Sequence, residues 1–424
     1  MTFESRLTSA QRDSLIKIAD NLVIGLALAL PWSTSATVIL ICLWAVVIIP
    51  AIEPKELMRE MKQPASYLPV ALFALAALGM LWADVPFKER LKGIDSYVKL
   101  LTIPLFMIHF RRSDRANKVL AAFLFAGALL LAASVLSMFS PNGTGWGFAK
   151  SYGIPVKDYI SQSAVFTTCA FGLFYLAIDA FRLRWNFFGV LFVVLGVLFL
   201  SNLFFVVASR TALLTLPFLL LLLGFRQFGW KGTGAAFVLT LVAMAVIWTS
   251  SFYVRDRLGS LVVEIQNPRA DTIGTPTGER LNFWKRSIET IAEAPVIGHG
   301  TGSIRESFQK SATGTGTSAV VSVNPHNQTF AVAIQLGLVG ALLLYAMWGA
   351  HLSLFFCGAG LASWLGLLIV AQNVIGSLAN SHLFDFTHGW LYCIGVGICG
   401  GIATRQGAPF SVLTPACKVA TAKP

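Results

Sequence analysis

Apolar stretches long enough to cross a membrane recur along the whole chain, and mostly short polar segments separate them. A hydrocarbon core about 30 Å thick takes about 20 apolar residues as an α-helix. Backbone groups inside that core must find their hydrogen bonds within the protein, which open strands cannot provide. We therefore predict an all-α polytopic membrane protein with about twelve transmembrane helices. The predicted limits are 16–31, 34–50, 67–83, 94–109, 116–139, 160–181, 186–208, 211–225, 233–250, 327–356, 359–380 and 386–403.

One polar interruption is much longer than the rest and divides the chain into four parts. Helices 1 to 9 lie within residues 1–250, a long loop covers 251–326, helices 10 to 12 lie within 327–403, and a tail covers 404–424. The first apolar run has no small-residue cleavage site after it, so we expect it to remain as a membrane anchor. The tail has low hydrophobicity, which predicts disorder.

The long loop contains a segment with helical periodicity, "GERLNFWKRSIETIAEAP". Its apolar residues Leu281, Trp284, Ile288 and Ile291 recur at steps of three and four, which places them on one helical face. Pro295 ends the run. The pattern predicts an amphipathic helix that lies on the membrane surface or on the transmembrane bundle.

Glycine, serine and threonine dominate the loop on the C-terminal side of this helix, in "VIGHGTGS" and "SATGTGTSAVVSVNPHNQTF". Backbone amides of such segments can approach a phosphate closely. A flexible connection to the next span explains the same composition, most of all for the "GTGT" part. Both interpretations stay open at this point.

The composition agrees with a membrane protein and excludes an ordinary soluble one. Hydrophobic residues make up 56% of the chain, charged residues only 12%, and the mean hydropathy is +0.71. None of the six cysteines forms a CxxC pair, so neither a disulfide framework nor a zinc site is indicated. The net charge of +12 would favour contact with anionic lipids, although a basic membrane protein of any function would share it.

The positions of lysine and arginine predict the orientation, because cytoplasmic loops are enriched in both. With the N-terminus inside, the inner loops hold fourteen of these residues and the short outer loops hold six. The segment "VPFKERLK" on the outer side departs from this bias. Both termini are therefore expected in the cytoplasm, and the long loop outside it.

Four residues suit phosphate binding or proton transfer. Arg210 lies between two apolar runs on the side of the long loop, where a snorkelling anchor and a functional cation are both plausible. Arg280 and Arg286 lie in the amphipathic segment, and guanidinium groups can bond two phosphate oxygens at once. His326 stands at the mouth of a span and could act as a general base, or form a helix cap with its neighbour Asn327.

A metal site has one weak candidate. His382, Asp385 and His388 are spaced by three and could share a helical face as ligands, but an interfacial cap is the better interpretation. No DxD or ExD pair is present, so the carboxylate platform for a divalent metal on a sugar nucleotide is missing. Motifs for ATP hydrolysis, zinc proteolysis and serine hydrolysis are also absent from the sequence.

The whole pattern resembles the O-antigen ligase family and the wider superfamily that includes O-antigen polymerases. The specific part of the resemblance lies in "SRTALL", "ERLNFWKRSI" followed by "APVIGHGTGS", and "NPHNQTFAVAIQLGLVG". The family's two functional arginines and one histidine fall by motif on Arg210, Arg280 and His326. Arg286 and Asn327 are further candidates in the same motifs.

The resemblance implies a metal-independent, inverting glycosyltransferase without a cofactor. Its partners would be a glycan donor linked to undecaprenyl diphosphate, a lipid A-core acceptor and membrane lipid, with no nucleic acid. The active site would face the periplasm from the bacterial inner membrane. In the implied mechanism His326 removes a proton from the acceptor hydroxyl, while Arg210 and Arg280 bind the departing diphosphate.

Other functions are compatible with this sequence. An O-antigen polymerase uses the same donor with a second lipid-linked glycan as acceptor. A protein O-oligosaccharyltransferase of the same superfamily is a further alternative. About twelve helices is also a common size for a secondary transporter, although no internal repeat of the kind found in many transporters is evident.

Overall fold

The computed structural model describes residues 7–139, 152–206, 209–252, 254–256, 259, 276–313 and 319–405. Within these residues the fold is all-helical and contains no β-strand, which confirms the predicted class. The helices are α1 (Ser9–Ala29), α2 (Thr34–Ile48), α3 (Pro54–Glu60), α4 (Pro64–Gly79), α5 (Phe87–Val98), α6 (Thr102–Arg112), α7 (Ala116–Met138), α8 (Tyr159–Arg182), α9 (Asn186–Phe205), α10 (Arg210–Ser250), α11 (Pro276–Glu293), α12 (Ile304–Lys310), α13 (Gln328–Phe356), α14 (Gly360–Gly376) and α15 (Phe386–Arg405).

Seven helical segments in the described part of the chain are long and apolar enough to cross a membrane. They are Thr34–Ala51, Ala116–Met138, Tyr159–Arg182, Asn186–Phe205, Arg210–Ser250, Gln328–Phe356 and Phe386–Arg405. Two shorter apolar helices, α4 and α14, add to the same bundle. A polytopic membrane protein is therefore supported, while the count of twelve spans stays a prediction. The predicted tail lies almost entirely outside the described residues.

Ion pairs gather several loops at one end of the bundle, which we call the basic end. Arg12 near the start of α1 pairs with Glu53, and Arg112 at the end of α6 pairs with Glu56. Arg405 at the end of α15 pairs with Asp114. The distribution of lysine and arginine along the sequence predicted that these loops lie together on the cytoplasmic side of the membrane. The opposite end, which we call the site end, carries the long loop.

The helix α10 is a hairpin of two halves. Gly229 has φ +62° and ψ −151°, which interrupts the helix between residues 210–228 and 230–250. A Cβ on Gly224 would lie 2.5 Å from the carbonyl oxygen of Gly232, so the two halves touch backbone to backbone. The two predicted segments 211–225 and 233–250 correspond to these halves.

The predicted segment 94–109 is not one continuous helix. It falls on the end of α5, a 3-10 turn over Lys99–Leu101, and α6, which has only 11 residues. The charged stretch that departed from the orientation bias forms the first half of α5. Arg90 there donates to the carbonyl oxygens of Val85 at 2.9 Å and Met80 at 2.8 Å, so this cation fixes the loop between α4 and α5.

The predicted span 327–356 is also interrupted. Gly337 has φ +60°, a conformation that side chains with a Cβ disfavour, and it breaks α13 into residues 328–336 and 338–356. Residues 295–302, which we call the clasp, fit into this break. The amides of His299 and Gly300 donate to the carbonyls of Ile334 and Gln335, both at 2.9 Å.

The other side of the break is paired in the same way. The amide of Leu338 donates to the carbonyl of Pro295 at 2.8 Å, and Thr301 donates from its amide to Gly79 at 3.0 Å. Backbone groups released by the break are thus bonded within the protein, as a membrane site requires. The backbone amides of residues 299–302, in "VIGHGTGS", therefore donate hydrogen bonds to other groups of the protein. They do not form a phosphate-binding loop, and this segment is not a flexible connection. Most of the "GTGT" segment lies outside the described residues.

The helix α11 is present, and part of its predicted apolar face is exposed. Leu281 is 52% exposed and Ile288 is 58% exposed, so these two residues of that face do not pack on the bundle. The buried side chains include Phe283 and Arg286, which face α12 and the start of α13. Arg286 can be buried because carbonyl oxygens of the loop accept its hydrogen bonds. The apolar stripe consequently faces the surroundings, as expected beside lipid.

Candidate functional site

His326 lies in the loop that enters α13, in an unusual backbone conformation. Its φ is +54°, which is uncommon for any residue except glycine. The side-chain oxygen of Asn324 accepts a hydrogen bond from the His326 amide at 2.8 Å and supports this turn. A strained conformation held by its surroundings is a reason to suspect a functional role.

A second loop, residues 377–385 between α14 and α15, is bonded along the start of α13. The amide of Gln328 donates to the carbonyl of Ser377 at 3.0 Å, and the Gln328 side-chain oxygen accepts from the Leu383 amide at 2.9 Å. Asn327 donates to the carbonyl of Leu378 at 3.1 Å. This loop and the residues around His326 therefore form one rigid unit.

The loop supplies a hydrogen-bonded relay to the His326 ring. The side-chain oxygen of Asn380 lies 3.1 Å from Nδ1 of His326, and the Asn380 side-chain nitrogen donates to Oδ2 of Asp385 at 3.0 Å. A carboxylate can only accept, so it fixes the orientation of the Asn380 amide. The amide oxygen then faces Nδ1, which must carry the proton. Nε2 of His326 is left with its lone pair, as a general base requires.

The far end of the relay is anchored by two more residues. Nδ1 of His382 lies 3.0 Å from Oδ2 of Asp385. The buried ammonium of Lys99 donates to the backbone carbonyls of Phe384 at 3.1 Å and Asp385 at 3.2 Å. Sequence reasoning missed Asn380 and considered Asp385 only as a metal ligand or cap. The sequence signal that could have pointed to Asn380 is the polar "NSH" at residues 380–382, in a short loop between two apolar segments.

The surroundings keep the His326 ring neutral near pH 7. Burial lowers the pKa of His326 below its ordinary value, and the positive charge of Arg280 lowers it further. The hydrogen bond that the ring makes to the Asn380 oxygen raises the pKa and partly opposes these two effects. Arg280 therefore lies within electrostatic range of the ring. Phe283, one turn further along α11, stacks on the ring with centroids 6.1 Å apart. The structure thus brings Arg280 and His326 together.

Arg210 begins α10 at the same end of the bundle. Its neighbours Ser209 and Thr211 are buried and line a small cavity with His382 and His388. The contact is close, because a Cβ on Gly376 would lie 2.4 Å from the His382 ring and 3.3 Å from the Thr211 methyl group. The start of α10 therefore packs against His382, which is the residue at the far end of the relay.

Arg286 and Asn327 use their polar atoms within the protein. The Arg286 guanidinium donates to Ser311 Oγ at 2.9 Å, to the carbonyl of Val320 at 2.8 Å and to the carbonyl of Phe308. Asn327 caps α13, accepting from the Phe330 amide at 3.1 Å. These contacts indicate structural roles for both residues. Arg286 holds α11, α12 and the loop before His326 together.

Among the described residues, His382, Asp385 and His388 form a cluster close enough to share a metal ion. The two imidazole rings stack face to face, with centroids 3.9 Å apart and an angle of 7°. Lone pairs of parallel stacked rings run side by side and do not converge on one ion. His382 also uses Nδ1 on Asp385. The geometry therefore fits a buried packing unit better than a metal site.

A cavity of about 380 Å³ opens next to the relay, between the starts of α2, α8 and α15. Lys157, Asp158, Asn380 and Asp385 contribute to its lining. Burial lowers the pKa of Lys157 to about 8, and its ammonium donates to Thr387 Oγ1 at 3.2 Å and to the carbonyl of Leu30. This places a polar, partly enclosed space beside Asp385.

The comparison with known families covers the central part of the chain. A family model described as O-antigen ligase (Wzy_C) matches residues 195–345. That range includes Arg210, Arg280 and His326, whereas Asn380 and Asp385 lie beyond it. No curated protein matches the chain. Over this central segment, which carries the three motif residues, the chain is similar to the O-antigen ligase family.

Proposed function

We propose that the protein is an O-antigen ligase that transfers a glycan from undecaprenyl diphosphate to lipid A-core. The observation that carries this proposal is the relay from Asp385 through Asn380 to His326, with Arg280 in electrostatic range of the ring. It supplies a neutral imidazole with Nε2 available to accept a proton. Together with the family match, this arrangement favours glycosyl transfer by a single displacement, without a covalent glycosyl-enzyme intermediate.

In the proposed reaction, a hydroxyl oxygen of the acceptor attacks the anomeric carbon of the lipid-linked glycan. The bond from that carbon to the diphosphate oxygen breaks, and its electron pair leaves with undecaprenyl diphosphate. Nε2 of His326 takes the hydroxyl proton. The resulting imidazolium is stabilised by the Asn380 oxygen and by the negative charge of Asp385. Attack opposite the leaving group inverts the anomeric centre.

Arg210 and Arg280 bind the diphosphate in this proposal. Charge grows on the leaving group in the transition state, and fixed guanidinium donors can stabilise it in place of a divalent metal. The missing DxD motif agrees with such a mechanism. Arg286 has no part in it, because its donors are used on Ser311, Val320 and Phe308.

The orientation follows from the charge pattern. The loops that share the basic end contain most of the lysines and arginines outside the long loop, which favours a cytoplasmic location for that end and for both termini. The site end, with His326 and the long loop, then faces the periplasm of a bacterial inner membrane. Both lipid-linked substrates are anionic and would reach the site from the outer leaflet.

An in vitro reaction tests the proposal. Purified full-length protein in detergent is incubated with undecaprenyl-diphosphate glycan and lipid A-core in the presence of EDTA, with His326→Ala in parallel. Glycan attached to lipid A-core by the wild type alone is the expected result. Lengthened glycan that stays on undecaprenyl diphosphate would identify a polymerase instead. No transfer to either lipid by folded protein would refute the glycosyltransferase and favour the transporter.

A further inference from the structure

A second cavity, of about 300 Å³, lies beside the loop that carries His326. Its lining includes Lys92 on α5, Arg305 on α12, and Asn324 and Pro325, the two residues before His326. Asp385 lines this cavity and also the cavity next to Lys157. The relay therefore separates two spaces, and neither Arg210 nor Arg280 lines the one at Lys92.

The wall of this cavity is a fixed part of the fold. A Cβ on Gly93 of α5 would lie 2.5 Å from the amide nitrogen of Gly302, so the two backbones are in direct contact. The Gly302 amide donates in turn to the Gln335 side chain at 2.8 Å, which ties the contact to α13. The cavity is consequently a formed pocket, and its volume is at the lower limit of ligand sites. It has room for one end of a saccharide.

The cavity is lined by charged side chains of both signs, the cations Lys92 and Arg305 and the carboxylates Glu89 and Asp385. Lys92 and Arg305 are exposed at its mouth. The Glu89 carboxylate accepts a hydrogen bond from Lys92 at 2.7 Å. That bond, with the positive charges of Lys92, Arg305 and Lys88, holds the pKa of Glu89 below its ordinary value. An anionic group in the cavity could pair with Arg305 and would compete with Glu89 for Lys92.

We propose that this cavity is the acceptor subsite, in which Lys92 and Arg305 bind an anionic substituent of the acceptor saccharide, such as a phosphate. The inference rests on the proposed function, because it assigns the second substrate of the same reaction. The arginines assigned to the donor diphosphate do not line the cavity, whereas the two residues before the general base do. An acceptor held here is adjacent to the His326 loop, and its charge selects it from neutral saccharides.

The test measures acceptor binding and transfer separately. A phosphorylated core oligosaccharide and its phosphatase-treated form are titrated into donor-free protein by calorimetry, and both are used as acceptors in the transfer assay. The variants are Lys92→Ala and Arg305→Ala. Lys88→Ala is the matched control, because it removes an exposed cation from the same helix that does not line the cavity. Glu89→Gln removes the competing carboxylate.

We expect Lys92→Ala and Arg305→Ala to weaken binding of the phosphorylated form by roughly tenfold, the usual effect of one charged hydrogen bond. KM for that acceptor should rise equally, while kcat, KM for the donor and binding of the phosphatase-treated form stay unchanged. Glu89→Gln should tighten binding. Lys88→Ala should have a much smaller effect than Lys92→Ala, because Lys88 acts on the cavity only through its charge and does not line it.

The outcomes separate this inference from the proposed function. Equal binding of both oligosaccharides, or a phosphate preference that survives in Lys92→Ala and Arg305→Ala, would overturn the acceptor subsite even if transfer is efficient. Charge-dependent binding without any transfer by the wild type would support the anion site and refute the ligase reaction. Loss of binding in Lys88→Ala to the same extent would show a diffuse charge effect and would also overturn the assignment.

Discussion

The relay can be tested through the pH dependence of transfer, because Asn380 and Arg280 act on His326 in opposite directions. Burial lowers the pKa of His326, the Asn380 hydrogen bond raises it, and the Arg280 charge lowers it. A protonated ring cannot accept the hydroxyl proton, so activity falls as the pH drops through this pKa. The low-pH side of the rate-against-pH curve, its acid limb, should therefore move to lower pH in Asn380→Ala and to higher pH in Arg280→Ala.

The size of the loss in kcat follows from the contact that Asn380 makes. Asn380 is 5% exposed, and its oxygen bonds the ring that becomes positively charged during the reaction. A hydrogen bond to a charged group contributes about 1.5–3 kcal/mol. Since about 1.4 kcal/mol corresponds to a factor of ten in rate, Asn380→Ala should lower the plateau kcat by roughly 10- to 100-fold.

The assay is initial transfer rate from pH 5 to 8 at saturating donor and acceptor, with the folded fraction checked by size-exclusion chromatography. Lys285→Ala is the control, since it removes another cation of α11 that is exposed. It should keep the wild-type profile. Displacement of the acid limb in the same direction by Asn380→Ala and Arg280→Ala would refute the reasoning, as would a full plateau rate in Asn380→Ala.

Three further predictions concern the scaffold and the arginines. Gly300→Ala should lower stability by about 2–4 kcal/mol, because Gly300 has φ +88° and a Cβ would lie 2.4 Å from Cα of Ala83. In thermal unfolding in detergent, Gly349→Ala should be no less stable than the wild type, because Gly349 lies inside α13 and its Cβ would meet open space. Arg286→Ala should lower the melting temperature by leaving buried carbonyls unbonded, at a cost of about 3 kcal/mol, without changing KM in the folded fraction. Arg280→Ala should lower kcat of the folded fraction by about 10²- to 10³-fold with EDTA present, as loss of one preorganised donor does.

The helices and their rough limits could be predicted because they depend on local periodicity. Even the hairpin in α10 was visible as two segments separated by "FRQFGWKG", where polar residues and glycine interrupt the apolar run. The interruption of α13 was not visible. Gly337 lies in a continuous apolar stretch, and only the clasp, 35 or more residues earlier, shows that the helix breaks there.

The buried face of α11 shows a different limit of the sequence pattern. Periodicity identified an apolar face on this helix, but it left open whether that face lies on the membrane surface or on the bundle. Beside a membrane, however, apolar side chains can face lipid while a polar residue faces the protein. Arg286 is buried because three acceptors from α12 and the following loop surround its guanidinium. Those acceptors come from positions 308 to 320, and no local pattern could reveal that they converge.

His326 was identified from its residue type and position, but its partner was not. Asn380 is 54 residues further along the chain, and the hydrogen bond between them exists because α14 and α15 return the chain to the site end. Spacing within "NSHLFDFTH" suggested a metal site or a cap, since local spacing reports only residues on the same element. The structure shows instead that Asp385 acts on Asn380 and His382.

The broken helix and the relay together explain how His326, a residue of a loop, is held in a fixed position. The first half of α13, residues 328–336, is bonded at its start to the loop 377–385 and at its end to the clasp. It is therefore positioned at both ends by segments distant in sequence, and His326 precedes it by only two residues. A continuous helix would be fixed mainly by its packing against lipid and neighbouring helices, which leaves its start free to fray. The break at Gly337 interrupts the hydrogen bonding of the helix. The short first half is bonded to the clasp and to the loop 377–385 instead, and so becomes part of the site end. On this reasoning, a change in the clasp should alter the position of His326 as well as the stability of the bundle.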